Sequence, residues 1–152
     1  MSHQTMVLSL SLAQKLKEAG SIWRPAKNDF FAVPDRNLDD SIFVISDMTV
    51  MVEQVPGGHL AVTFHGAVEW ALDHILIAEL VWLPHEGQLR ELLEGHLVGE
   101  PQPALTLTST PDGYRCVIQF QGKILTFESF GVSETYGLAL LHLLGRANRS
   151  GR

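Results

Sequence analysis

Residues 105–129 limit what this chain can fold into more than any other stretch. Leu105 and Leu107 alternate with Thr106 and Thr108, and beyond Pro111-Asp112-Gly113 the residues Tyr114, Cys116, Ile118 and Phe120 alternate with Arg115, Val117, Gln119 and Gln121. A period of two places the two sets on opposite faces of a strand, so both runs read as strands with one apolar side. The Pro-Asp-Gly run and Gly122 are turn signals, and residues 123–128 supply a third strand. Ser133 then offers an N-cap for a helix whose apolar side carries Leu138, Leu141 and Leu144. A meander of antiparallel strands packed by one helix is expected.

Nearer the start, Leu12, Leu16 and Ala19 recur at helical spacing behind Ser11-x-x-Gln14, which has the form of a capping box, and Gly20 stands where a C′ residue belongs. The spacing predicts a helix over residues 9–19. Phe30 to Val33 reads as a strand closed by Pro34, and the Val-, Ile- and Thr-rich run 42–55 as two strands bent at Ser46-Asp47. Pro56-Gly57-Gly58 turns the chain into a returning hairpin strand over 59–65. Val68, Leu72 and Ile75 follow helical spacing and predict a short helix, while 76–83 fits either a buried strand or an extended crossing segment. Pro84 suits a first helical position, Glu86 and Arg90 are spaced as an i,i+4 pair, Leu89, Leu92, Leu93 and Leu97 form an apolar stripe, and Gly95 is a stop. The stretch 99–103 reads as an internal connection. The expected whole is a single α+β domain over residues 1–152. Its antiparallel strands form two groups, the N-terminal hairpin region and the C-terminal meander, packed by about four helices.

With 45% hydrophobic and 18% charged residues the chain has the composition of a globular protein. The lone Cys116 excludes an internal disulfide framework and a multi-cysteine zinc site, and its place on an alternating strand predicts a core thiol of raised pKa. No signal-peptide pattern or membrane-length apolar run is present, so a cytoplasmic address is expected. The net charge of −6 is unevenly spread, since no Lys or Arg falls between Arg36 and Arg90 while Asp39, Asp40, Asp47, Glu53, Glu69, Asp73, Glu79 and Glu86 do. An acid-only middle repels phosphate backbones, which argues against nucleic acid as a partner.

The densest mixture of acid, imidazole and tryptophan lies between Glu69 and Arg90. His65, Glu69 and Asp73 share one side of a helix if that helix starts as early as His65, and an imidazole with two carboxylates can bind a divalent metal. Against this, Gly66 separates strand from helix, and the set needs a further ligand to close around one ion. His59 and His65 face the same way but stand roughly 20 Å apart along a strand, too far to share a ligand. No Gly-x-Ser-x-Gly elbow and no phosphate-cradling glycine loop occurs. Trp23, Trp70 and Trp82 either fill the core or line a groove; exposed beside acids they favour a basic or cationic partner.

The set Ser46-Asp47-Met48, Gly66, Glu69-Trp70-Ala71-Leu72-Asp73, Trp82-Leu83-Pro84 and Gln88-Leu89-Arg90 resembles a group of short uncharacterised bacterial proteins, some labelled pilus assembly proteins. A phosphate-binding loop or pilin-like helix that would support that label is missing, so the label is not carried over. Gly113-Tyr114 and Gly131-Val132-Ser133-Glu134 are similar to small phage proteins and to HicB-type antitoxins, with Thr135-Tyr136 standing where that pattern has a Glu-Ala pair. The expected function is that of a non-enzymatic binding or protein-interaction module. It would act as a homodimer that meets a protein partner, basic in character, through Glu69, Trp70, Asp73 and Trp82; no cofactor is expected. A metal-dependent hydrolase using His65, Glu69 and Asp73 with Asp47 or His74 is a second reading, and an antitoxin-like module a third.

Overall fold

The first helix, α1 (Leu10–Glu18), matches its expected span, and both ends are closed by identifiable caps. Ser9, rather than Ser11, is the N-cap: its hydroxyl accepts from the Leu12 amide at 3.3 Å. At the other end the Gly20 amide donates to the Lys17 carbonyl and the Ser21 amide to the Leu16 carbonyl, the two bonds of a Schellman motif, with Gly20 at φ 103° as that turn requires. The protein is seen here as a computed structural model that describes residues 8–34, 42–46, 50–64 and 74–150. It is α+β and divides into two compact units, Met1–Ser21 with Pro84–Arg152, and Ile22–Leu83. Its strands form three antiparallel three-stranded sheets and its α-helices number three among the described residues, instead of two strand groups and about four helices.

The unit Ile22–Leu83 contains two of the sheets. In one, β1 (Phe30–Ala32) lies between β2 (Phe43–Val44) and β6 (Val81–Trp82); in the other, β4 (Leu60–Phe64) lies between β3 (Val50–Gln54) and β5 (His74–Leu76). Gly57 and Gly58, at φ 95° and 81°, supply the tight turn between β3 and β4. The two sheets share one core, in which Phe31, Val33 and Ile45 meet Val62, Ile75 and Leu80. Ile75, expected on a helix, lies on β5, and Val68 and Leu72 of that expected helix fall outside the described residues. Three apolar positions at helical spacing are a short sample, and pairing of Val62 with Ile75 on the adjacent strand prevails over it. The ambiguous run 76–83 proves to be strand, turn and strand. A 3-10 turn (Ile77–Glu79) carries the chain out of β5 in one sheet and into β6 in the other, and the Glu79 carboxylate accepts from the Leu76 amide at 3.1 Å.

In the other unit α2 (Glu86–His96) starts behind His85, two residues later than the proline suggested. The His85 Nδ1 accepts from the Gln88 amide at 3.4 Å while the Gln88 side chain accepts from the His85 amide at 3.1 Å, a reciprocal capping box. Gly95 lies inside this helix and Leu97 is its C-cap. The ion pair that forms is Arg90 with Glu94, at 3.8 Å, instead of Glu86 with Arg90.

The meander follows as expected: β7 (Leu105–Thr110), β8 (Gly113–Phe120) and β9 (Lys123–Ser129), in sheet order 7-8-9. Gln121 and Gly122, at φ 51° and 78°, form the two-residue turn between β8 and β9, whose paired positive φ values suit the twist of a hairpin. Cys116 and Ile118 are fully buried on one face, whereas Thr106, Thr108, Arg115, Thr126 and Glu128 stand exposed on the other. The closing helix α3 (Val132–Ser150) contacts β8, β9, α1 and α2. It buries Tyr136, Ala139, Leu140 and Leu143, while Leu138, Leu141 and Leu144 are only half-buried. Ser133 lies within the first turn of α3 instead of capping it. With leucines on several sides of α3, the 138/141/144 spacing marked a flank rather than the buried face; packing against α1, α2, β8 and β9 sets the orientation.

Candidate interaction groove

Within the unit that holds the meander, α2 packs on α3 and β7 pairs with β8, and the space between α2 and β7 remains as a groove of about 620 Å³. Arg90 and Glu94 form its helical wall, Leu105 and Leu107 its strand wall, Tyr136 of α3 also lines it and Val98 lies at its end. Residues 97–104 join α2 to β7 and close that end. The connection is held in place: the Glu100 carboxylate accepts from the Gln121 amide at 3.2 Å, and the Gln119 side chain donates to the Pro103 carbonyl at 3.3 Å.

The strand wall has an open edge. The Gln119 amide donates to the Ala104 carbonyl at 3.0 Å, which sets the phase of the ladder: residues 104, 106, 108 and 110 bond to β8. The N–H and C=O groups of Leu105, Leu107 and Ser109 therefore point the other way, where no strand pairs with β7 among the described residues. Proteins guard such edges with Lys, Pro, charge or bulges. The run Leu-Thr-Leu-Thr-Ser-Thr of β7 has none of these, whereas the opposite edge strand β9 carries Lys123 and Glu128.

The rim is acidic. From Glu86 to Glu100 the chain carries Glu86, Glu91, Glu94 and Glu100 against Arg90 alone, and Arg90 is already engaged by Glu94. Burial raises the pKa of the Tyr136 phenol, with the Arg90 guanidinium acting in the opposite direction, so at neutral pH the ring presents an O–H. Val98, at the end closed by residues 97–104, is 83% exposed, an apolar side chain facing solvent.

Of the residues singled out from sequence, His65, Glu69, Trp70 and Asp73 lie outside the described residues, as does Asp47. Trp82 is described: it is half-buried on β6 and stacks on Trp23 with ring centroids 6.3 Å apart and planes 5° apart. The Trp23 indole donates to the buried Asp29 carboxylate at 2.9 Å, and that carboxylate also accepts from the Ala26 amide at 3.0 Å. Among the described residues no three His, Cys, Asp or Glu side chains converge to hold a metal ion, and no helix is long and apolar enough to cross a membrane. Cys116 is fully enclosed, and burial pushes its thiol up to about 11.

No protein family, curated protein or solved structure matches the chain. The groove residues escaped the sequence reading because Arg90, Glu94, Tyr136 and β7 are far apart along the chain. The one available signal was compositional: β7 is an uncharged, proline-free strand at the start of a meander.

Proposed function

We propose that this chain is a non-enzymatic protein-interaction module that meets a basic protein partner through an acidic surface. The observation that carries this reading is the open edge of β7 beside a groove whose helical wall, α2, belongs to an acidic segment. Backbone donors and acceptors in a groove with apolar side chains are binding groups for a protein segment, and the excess of carboxylates selects a cationic one. The acid-only stretch that includes Glu69 and Asp73 works in the same direction.

The test is recovery of a partner from the native cell by the tagged chain. Reversing Glu91 and Glu94 to lysine, with Glu69 and Asp73 reversed in a second variant, is expected to reduce recovery of the same partner. Undiminished recovery with both variants overturns the reading.

A further inference from the structure

We infer that the open edge of β7 is closed by β7 of a second copy of this chain, the two strands running antiparallel about a two-fold axis through Leu107, so that two three-stranded meanders join into one continuous sheet. This rests on the interaction reading above in treating β7 as a protein-binding edge. It goes beyond that reading by naming what meets the edge, and it leaves the acidic stretch to the basic partner.

The register follows from the chain itself. The outward residues Leu105, Leu107 and Ser109 are placed symmetrically about Leu107, and so are the prolines that bound the strand, Pro103 and Pro111. With Leu107 opposite Leu107 of the second copy, Leu105 and Ser109 oppose each other, and every outward amide and carbonyl of β7 finds a partner. Slipping the register by two residues sets Ser109 against Pro103 in one direction and Leu105 against Pro111 in the other, and neither proline has an N–H to give. The faces match in the same register. The Leu107 side chains, half-buried in a single copy, meet on the face that lines the groove. On the outer face the exposed Thr106 of each copy stands directly opposite Thr108 of the other.

Charge and edge protection select a second copy as the occupant. The edge strand is uncharged, so a copy brings no like charge to it, and the lining of the groove carries one cation and one anion, Arg90 engaged by Glu94. The opposite edge strand β9 is guarded by the exposed Lys123 and Glu128, so each meander offers one open edge. Antiparallel pairing of that edge with itself uses it up and closes a dimer in place of an open-ended fibre.

The test is the mass of the full chain by sedimentation equilibrium. Wild type is expected to be a concentration-dependent dimer, and a chain that stays monomeric overturns the proposal. T106K/T108E sets lysine opposite glutamate across the axis and should remain dimeric. T106E/T108E differs from it only in the side chain at position 106, sets glutamate opposite glutamate at both symmetry-related pairs, and should weaken dimerisation about tenfold or more. Equal behaviour of the two variants overturns the pairing. Ser109→Pro, at an exposed position whose N–H points away from β8, removes an outward donor from both copies. It should weaken the dimer while leaving the circular dichroism spectrum unchanged, and undiminished dimerisation overturns the proposal. If T106E/T108E stays dimeric while reversal of Glu91 and Glu94 still reduces recovery of the native partner, the strand pairing falls and the interaction reading stands. If the two variants separate as expected while recovery is undiminished, the pairing stands and the acidic-surface reading falls.

Discussion

Ser9 and Glu134, 125 positions apart, are clasped at the meeting of two helix starts: the Ser9 amide and hydroxyl donate to the two carboxylate oxygens of Glu134 at 3.1 and 2.9 Å. The same hydroxyl caps α1. One carboxylate in the first turn of α3 thus compensates the positive ends of both helices. Ser9→Ala and Glu134→Ala should each cost about 1 kcal/mol in chemical denaturation. Because both remove the same clasp, the double variant should cost less than their sum.

Gly113 begins β8 against the turn that follows β9. A Cβ there would run into the Ser129 carbonyl oxygen and come within 2.9 Å of Phe130 Cα, both backbone atoms with no rotamer to yield. Gly113→Ala should therefore destabilise the meander by about 2 kcal/mol or more, read as a lowered denaturation midpoint. Gly95→Ala in α2, where an added Cβ meets nothing within 4 Å, should raise it by up to about 1 kcal/mol.

Asp29 organises the entrance to β1 by accepting from Trp23 Nε1 and the Ala26 amide while its own carbonyl accepts from the Ile45 amide at 3.0 Å. Replacing the carboxylate with a methyl leaves a half-buried indole N–H without its acceptor beside the Trp82 ring. Asp29→Ala should cost about 2 kcal/mol and alter the tryptophan emission spectrum, whereas Trp82→Phe should alter emission with Asp29 still in place.

Cys116 binds its proton more tightly in the folded chain, at about 11 against an ordinary 9.0, because burial disfavours the thiolate. The resulting stability is complete below pH 9 and is lost as pH rises toward 11, since only the unfolded chain releases its proton in that window. Urea denaturation of wild type should show a steeper decline over that interval than Cys116→Ala, which retains every other alkaline titration. A disulfide-exchange reagent should stay unreactive toward Cys116 at neutral pH until the chain unfolds.

What the sequence disclosed depended on how local the determining contacts are. The meander was legible down to its turns, because alternation and the Pro-Asp-Gly and Gly122 signals are all encoded within a few residues. α1 was legible for the same reason, although Ser9 displaced Ser11 as its cap once Glu134 became available to hold it. Ile75 was misplaced on a helix because its strand neighbour Val62 is a non-local partner, and the run 76–83 stayed ambiguous because its strands serve different sheets. The groove was not legible at all: Arg90, Leu107 and Tyr136 converge only after α2, β7 and α3 have packed.

The 3-10 turn Ile77–Glu79 has a mechanical consequence. It leaves only Ile77–Leu80 between β5 and β6, the strands it joins in two different sheets, so an opening that frees β5 slackens the tether on β6. Ile75 of β5 and Leu80, the last residue of this tether, are buried in the one shared core. The sheets of this unit are therefore yoked and should come apart as one cooperative event, their central-strand amides exchanging with solvent at a common rate.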